Sequence, residues 1–324
     1  MAKKTLWATM NDVKGWVESV CCPMPTISQS NQVINMRSEK EMFNLILNVA
    51  ENDDNIRAVI MNGSRVNPHA KKDPFQDFDI VYFVREVEPY KKNKAFIRLF
   101  GKMMILQIPQ DMVDPPADND GHYTYLMQFL DGNRIDLSFY SLDNINTCSA
   151  DSLTVVLLDK DHLIPELPPP SDQDYLPQKP TAKLFDDCCN EFWWVSTYVA
   201  KGLWRDELTY TKQTLDVFVR EQLIKMLVWY VGVQTNFQKS SGKMGKYFKE
   251  CLEPEIWRQL ESTYADSESE HIWESLFVMG DLFRQTGRYV AKYFGFHYPE
   301  QDDRNVTNYL QHVRRLPQNA ATIY

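Results

Sequence analysis

Apolar and polar residues follow two different periods along this chain, and the change of period divides it into two parts. Up to about residue 160, apolar residues form short runs or alternate with polar ones, which is typical of β-strands. Beyond about residue 180 they recur every three to four residues, which is typical of helices. This order predicts an α+β fold, a mixed sheet with flanking helices followed by an all-helical domain.

The individual strands and helices are predicted from the same pattern. Strands are predicted at 56–62, 80–84, 103–108, 123–130, 134–140 and 154–158. Between the fourth and fifth runs, Asp131-Gly132-Asn133 is a hairpin signal, because such residues favour the tight turns that join antiparallel strands. Helices are predicted at 91–101 and near 181–203, 213–234, 244–252, 254–264 and 270–294.

Two local features set the predicted domain boundaries. Ser38 with Glu41 three residues later forms a capping box, so we expect the first folded domain to begin at Met36. Residues 165–180 contain six prolines, which lack the backbone N–H donor, and this composition predicts a linker. The predicted parts are an extension of unknown role (1–35), a first domain (36–164), the linker (165–180) and a helical domain (181–312).

Carboxylates at the start of the second strand are the first candidate chemistry. Asp77 and Asp79 alternate with apolar residues, so both point to the same face of the strand. Two carboxylates this close repel each other unless a cation lies between them, and oxygen-only ligands suit Mg²⁺. The preceding Gly63-Ser64 turn offers backbone N–H groups and a hydroxyl that suit phosphate oxygens. Metal and phosphate ligands together indicate nucleotide chemistry.

A third carboxylate lies on the fifth predicted strand. In Arg134-Ile-Asp-Leu-Ser-Phe139 the apolar residues share one face, and Arg134, Asp136 and Ser138 share the other. An aspartate that alternates with large apolar residues is costly to bury unless it is paired or binds a metal. We therefore add Asp136 to the predicted metal site.

Charge and cysteine content exclude several classes of protein. A formal net charge of −9 disfavours a nucleic-acid partner, which usually requires a basic surface. The six cysteines include two adjacent pairs that lack metal-site spacing, so we expect reduced thiols in a cytoplasmic protein. The sequence has no apolar run of membrane-spanning length, and no obligate protein partner is predicted.

The first long helix of the second part has an unusual polar face. Asp187, Glu191, Trp194, Tyr198 and Lys201 lie close together on it when the residues are placed at 100° intervals. Exposed aromatic residues are uncommon on a merely solvated face. Carboxylates beside aromatic rings suit a guanidinium-bearing ligand, although Trp194 packed against the linker or a neighbouring helix would also explain the pattern.

Three motifs together resemble a known family. Gly63-Ser64, a gap of twelve residues, Asp77-Phe-Asp79 and the later Asp136 strand are similar to the polymerase-β-type nucleotidyltransferase superfamily. More narrowly, Met61–Arg65, Phe75–Ile80 and Phe185–Phe192 resemble the aminoglycoside 6-adenylyltransferases, the streptomycin adenylyltransferases. The similarity runs from about Met36 to about Tyr309.

The resemblance implies a nucleotidyltransferase-type sheet and transfer of AMP from ATP to the 6-hydroxyl of streptomycin, with pyrophosphate release and antibiotic resistance. Asp77, Asp79 and Asp136 would hold Mg²⁺, and Asp136 would act either as general base or only as a metal ligand. Asp187, Glu191 and Trp194 are the predicted substrate-binding residues. The predicted nucleotide-binding residues are Gly63, Ser64, Arg65, Lys201, Lys243 and Lys246.

Other functions remain compatible with the same residues. The acceptor could be another aminoglycoside, a lincosamide-like drug, another small cation or a protein side chain. A second alternative is a non-catalytic ATP-binding sensor, against which the presence of all three aspartates argues. A transferase that modifies tRNA is disfavoured by the net charge of −9.

The capping box yields a prediction about residues 1–35. A variant that begins at Met36 keeps the capping residues, so we expect its melting temperature and its adenylyltransferase activity to equal those of the full chain. Thermal unfolding and pyrophosphate release measured on both proteins test this. A drop in either quantity would show that the extension contributes to the folded domain.

Overall fold

The computed structural model of the chain describes residues 35–116 and 121–324. The predicted extension therefore lies outside the described residues except for its last position. Six strands are present: β1 (Ile56–Asn62), β2 (Phe78–Val84), β3 (Met103–Gln107), β4 (Tyr123–Phe129), β5 (Arg134–Ser141) and β6 (Thr154–Asp159). All six lie where the sequence pattern predicts a strand.

The strands form one mixed sheet in the order β3-β4-β5-β2-β1-β6. β2 and β5 pair in parallel, whereas β4 is antiparallel to both β3 and β5. The turn between β4 and β5 contains Gly132 with a φ of 89°, a conformation that glycine adopts without strain. The predicted hairpin is confirmed.

Helices flank the sheet and then fill the second half of the chain. Near the sheet lie α1 (Glu39–Glu51), α2 (Glu88–Lys92) and a 3₁₀ helix (Lys94–Phe100). After β5 come α3 (Ile145–Cys148), α4 (Ala182–Trp204), α5 (Leu208–Gln213), α6 (Arg220–Gln234), α7 (Phe248–Cys251), α8 (Pro254–Glu261), α9 (Ser269–Phe294) and α10 (Glu300–Arg315). A π-helical segment, Thr214–Val219, joins α5 to α6. The predicted fold class is confirmed.

The described chain divides into two compact units. The first comprises residues 35–59, 73–144 and 157–161, and the second comprises residues 60–72, 145–156 and 162–324. The domain limits derived from the sequence remain predictions. Among the described residues, no helix has both the length and the apolar composition needed to cross a bilayer.

One face of the sheet forms the core of the first unit. Phe139 of β5 lies at its centre, with its ring stacked on Tyr90 at 4.1 Å and edge-on to Tyr82 at 5.6 Å. α1 covers this face through buried Met42, Ile46 and Ala50. The Tyr82 hydroxyl donates a hydrogen bond of 2.6 Å to the Ile46 carbonyl, which ties the sheet to the helix.

α1 is fixed at both ends by side chains. The predicted capping box is present, because the Ser38 hydroxyl accepts from the Glu41 amide while the Glu41 carboxylate accepts from the Ser38 amide. At the other end, the Lys160 ammonium donates to the carbonyls of Ala50 at 2.8 Å and Asp53 at 3.0 Å. A cation there also offsets the negative end of the helix dipole.

Arg37 holds the β4–β5 turn. Its Nε lies 2.5 Å from Oδ2 of Asp131, its Nη1 donates to the Phe100 carbonyl, and its guanidinium lies 4.8 Å from the centre of the Phe129 ring. Burial pushes the pKa of Asp131 upward, but hydrogen bonds from Arg37 and Asn133 outweigh it and lower that pKa to about 2. The residue next to Met36 is thus anchored to the start of β5.

The helices of the second unit pack around α4. Phe192 of α4 stacks on Phe283 of α9 at 3.8 Å in a core drawn from α4 to α10. Cys188 and Cys189 are free and buried in this core, and burial raises the pKa of the Cys188 thiol to about 12, so it is a poor nucleophile. α10 was not predicted from the sequence, although its first turn carries Glu300, Asp302 and Asp303, and acidic residues there are typical of a helix start.

Arg37 and Asp131 generate a prediction about acid stability. A carboxyl whose pKa falls on folding stabilises the protein above its unfolded pKa, and that stabilisation disappears as the pH falls from about 4 to 2. We expect Arg37→Gln to lower the free energy of unfolding by about 1–2 kcal/mol at pH 7 and by much less at pH 2.5. Urea unfolding at both pH values tests this, with exposed Arg98→Gln as the control. Equal losses at the two pH values would contradict the assignment.

Candidate active site

The parallel pairing of β2 and β5 brings two acidic residues together. Asp79 and Asp136 are direct partners in the register of these strands, so they lie on adjacent strands at the same level. Asp77 lies immediately before β2 and two residues from Asp79. The side chains of Asp77 and Asp136 are 34% and 21% exposed, so both are within reach of a ligand from solvent.

Apolar neighbours fix the direction of these carboxylates. Phe78 and Ile80 alternate with Asp79 and are 1% exposed, and Ile135 and Leu137 on either side of Asp136 are fully buried. Slipping either strand by one residue would bury the carboxylate and expose the apolar side chains. The sheet therefore holds the acidic residues on its half-exposed face, as the alternation in the sequence predicts.

Arg134 is a member of this cluster that the sequence analysis did not include among the site residues. Its Nε and Nη2 donate to the two carboxylate oxygens of Asp136 at 2.7 and 2.8 Å, and its Nε lies 3.6 Å from Oδ2 of Asp77. The hydrogen bond with Asp136 raises the pKa of Arg134, and the charges of Asp77 and Asp79 add to this. The sequence could have indicated this contact, because residues two apart on a strand, such as Arg134 and Asp136, point to the same face.

The cluster has the donor chemistry of a magnesium site but is not preassembled as one. Within residues 35–116 and 121–324, no three acidic, histidine or cysteine side chains converge as a metal site. Both oxygens of Asp136 instead accept hydrogen bonds from Arg134. Three carboxylates on one half-exposed face nevertheless supply the oxygen-only ligands that Mg²⁺ prefers, so the residues fit this ion.

The Gly63-Ser64 turn belongs to the second unit. Gly63 has a φ of 80°, which favours glycine, and its carbonyl accepts from the Val66 amide at 3.3 Å. The Ser64 carbonyl accepts from the Asn67 amide at 3.3 Å, so two consecutive turns follow β1. Ser64 and Arg65 are half-buried, and their roles toward phosphate remain predictions.

α4 presents the acidic and aromatic residues that the sequence placed on one face. Asp187 and Glu191 are exposed, and Asp187 forms an ion pair with Lys183. Trp194 is 58% exposed, and its indole N–H donates to the Tyr198 hydroxyl at 2.7 Å. Burial against a neighbouring helix therefore does not account for this tryptophan, whereas Trp193 beside it is buried.

The three lysines predicted to bind nucleotide lie on two elements of the second unit. Lys201 is exposed on α4, with its ammonium 4.8 Å from the centre of the Tyr198 ring. Lys243 and Lys246 are exposed in the glycine-rich turn before α7, where Gly242 and Gly245 have positive φ values of 73° and 75°. The observed contacts of these lysines do not test whether they bind a phosphate, so their role in nucleotide binding remains a prediction.

Comparison with known proteins identifies relatives along most of the chain. Residues 36–313 match the family model described as streptomycin adenylyltransferase. A Bacillus subtilis (strain 168) aminoglycoside 6-adenylyltransferase is 40% identical over 86% of this chain and 98% of its own length. The Campylobacter jejuni enzyme of the same name is 41% identical over 85% and 95%, and the Staphylococcus aureus one is 34% identical over 85% and 98%.

A solved structure is also similar in sequence. The crystal structure of an aminoglycoside 6-adenyltransferase from Bacillus subtilis is 36% identical, covers 87% of this chain and all of its own, and gives a TM-score of 0.44. The family match begins at Met36, the position at which the sequence predicts that the first domain begins. On the strength of the family match and of these relatives, the chain belongs to the streptomycin adenylyltransferase family.

Proposed function

We propose that this protein is an adenylyltransferase that moves AMP from ATP to the 6-hydroxyl of streptomycin and releases pyrophosphate. The observation that carries the proposal is the register that sets Asp79 beside Asp136 on a half-exposed sheet face, with Asp77 next to them. Relatives at 34–41% identity that are named aminoglycoside 6-adenylyltransferases support the reaction class. Modification of the drug would give antibiotic resistance in the cytoplasm.

Asp77, Asp79 and Asp136 would hold Mg²⁺ in this reaction. The ion, when bound, supplies positive charge that neutralises the triphosphate and stabilises the attacking and leaving oxygens. The carboxylates have fixed directions, because a strand that slipped by one residue would expose the buried residues that alternate with Asp79 and Asp136.

The carboxylate of Asp136 could take either of two roles in the transfer step. As a general base, one of its oxygens would take the proton from the attacking hydroxyl. As a metal ligand only, it would lower the pKa of that hydroxyl through the ion. In both cases its carboxylate must leave at least part of its present hydrogen bonding with Arg134.

The exposed face of α4 supports a cationic acceptor. Asp187 and Glu191 supply negative charge for a guanidinium group, and the exposed Trp194 ring supplies a flat surface on which it can stack. The hydrogen bond from Trp194 to Tyr198 holds that ring in a defined orientation. Streptomycin, which carries guanidinium groups, has the matching chemistry.

For the nucleotide, we propose that the Gly63 turn with Ser64 and Arg65 binds phosphate oxygens, and that lysines add positive charge. The positive φ of Gly63 gives its turn a backbone conformation in which amides can point outward. The lysines proposed for this role are Lys201, Lys243 and Lys246.

The reaction predicts strict acceptor dependence. With ATP and Mg²⁺, we expect streptomycin to stimulate pyrophosphate release, and lincosamides and neutral sugars to leave it at background. We expect Asp77→Asn to reduce the rate by at least about a thousandfold with an unchanged melting temperature, because a neutral amide is a poor magnesium ligand. Pyrophosphate release without any stimulation by streptomycin would contradict the proposed acceptor, and full activity of Asp77→Asn would contradict the proposed metal site.

The face of α4 predicts how acceptor binding responds to charge. We expect Glu191→Gln to raise the KM for streptomycin about tenfold, because a hydrogen bond between charged groups is lost, and to leave the KM for ATP unchanged. Asp186→Asn is the matched control, since Asp186 is an exposed carboxylate on the same helix but outside this face. Equal KM values for streptomycin in the two variants would exclude Glu191 from the acceptor site.

A further inference from the structure

The cluster around β2 and β5 contains a cation among its three carboxylates. Arg134 uses two of its nitrogen atoms on the two oxygens of Asp136, at 2.7 and 2.8 Å. Its Nε also lies 3.6 Å from Asp77, and the charges of Asp77 and Asp79 both act on it. The guanidinium thus offsets the repulsion among the same three carboxylates that the proposed function assigns to a metal ion.

A metal ion and this guanidinium compete for the same position. An ion held by Asp77 and Asp136 would lie within a few ångströms of a group that contacts both residues. A divalent and a monovalent cation about 4 Å apart repel each other by about 2 kcal/mol even at the dielectric constant of water, and by more at a half-buried site. The metal ion and the guanidinium therefore cannot both bind the carboxylates of this cluster with their full affinity.

The position of Arg134 allows it to move without disturbing the fold. It is the first residue of β5, and it projects to the half-exposed face of the sheet rather than into the core. Its side chain is 39% exposed, so a rotation about its side-chain bonds would take the guanidinium into solvent. Asp136, in contrast, lies between two fully buried neighbours and keeps its direction.

We propose that Arg134 is the resident counter-ion of the acidic cluster and that a divalent cation displaces it on binding. This inference rests on the proposed function, since it assumes that Asp77, Asp79 and Asp136 are the metal ligands. Arg134 is then a positioning residue. It keeps the metal-free cluster compact and sets the metal affinity lower than three carboxylates alone would give.

Binding of Mn²⁺ and metal-free stability test the displacement together. We expect Arg134→Gln to bind Mn²⁺ about tenfold more tightly than the unmodified protein, because the competing charge is gone. In EDTA the same variant is expected to melt a few degrees lower, because the carboxylates lose this counter-ion. Mn²⁺ binding is measured by electron paramagnetic resonance of the free ion, and stability by thermal unfolding.

Arg57 provides a matched control. It forms an ion pair with Asp161, in which its Nε lies 2.6 Å from the carboxylate, and it also lies in the first unit. We expect Arg57→Gln to lower the melting temperature and leave the Kd for Mn²⁺ unchanged. An arginine with a purely structural role at position 134 would behave in the same way, so a Kd for Mn²⁺ that is unchanged or weaker in Arg134→Gln would overturn the inference.

A third variant separates this inference from the proposed function. We expect Asp79→Asn to weaken Mn²⁺ binding strongly in both the unmodified and the Arg134→Gln background. If Asp79→Asn leaves the Kd unaltered, the metal is not held by this cluster, and the proposed metal site fails together with the inference. If Asp79→Asn weakens binding but Arg134→Gln does not strengthen it, only the role of Arg134 is refuted.

Discussion

Repulsion between like charges on adjacent strands is the constraint on which the first unit depends. The register of β2 with β5 sets the carboxylate of Asp79 beside that of Asp136, an arrangement that destabilises a sheet unless a cation offsets it. The buried residues that alternate with these aspartates prevent the strands from escaping the repulsion by a slip. The same strand register therefore produces both the apolar core on one face of the sheet and the acidic residues on the other.

That register is supported from outside the two strands. Arg37 holds Asp131 in the turn that leads into β5, and α1 covers the apolar face through Met42 and Ile46. On the opposite face, Asp77 and Asp136 keep partial contact with solvent, so their carboxylates stay accessible. Apolar packing stabilises one face of the sheet, whereas the carboxylates on the other face destabilise it by their mutual repulsion.

The sequence predicted elements more reliably than it predicted partners. Short apolar runs and alternation located all six strands, and alternation placed Asp136 and Arg134 on one face, because both patterns depend only on neighbours in the chain. The pairing of β2 with β5 joins strands that are far apart in sequence, and alternation carries no information about it. The contact of Arg134 with Asp77 depends on that pairing, so the sequence could not decide it, whereas its contact with Asp136 lies within β5.

α10 was missed although the sequence carries signals for it. Its first turn is acidic, and Asp303 is nonetheless 2% exposed because Arg284 of α9 donates to both of its oxygens, at 2.7 and 2.6 Å. Leu310 and Val313 of the same helix are buried at helical spacing, so the apolar pattern carried a signal that the prediction did not use. Trp194 shows a different case, since its angle on α4 can be read from the sequence, whereas its exposure depends on what packs beside the helix and is given only by the structure.

The cap that Lys160 forms on α1 has a consequence for the order of folding. α1 begins at Glu39, whereas the ammonium that satisfies its last carbonyls comes from the residue after β6. Contacts between residues so far apart in sequence form late, because closing a long loop costs entropy before the contact contributes. Helix α1 of the first unit thus emerges from the ribosome long before Lys160, the residue that caps its C-terminal end. On a growing chain, this unit stays unfinished until its last strand has been synthesised.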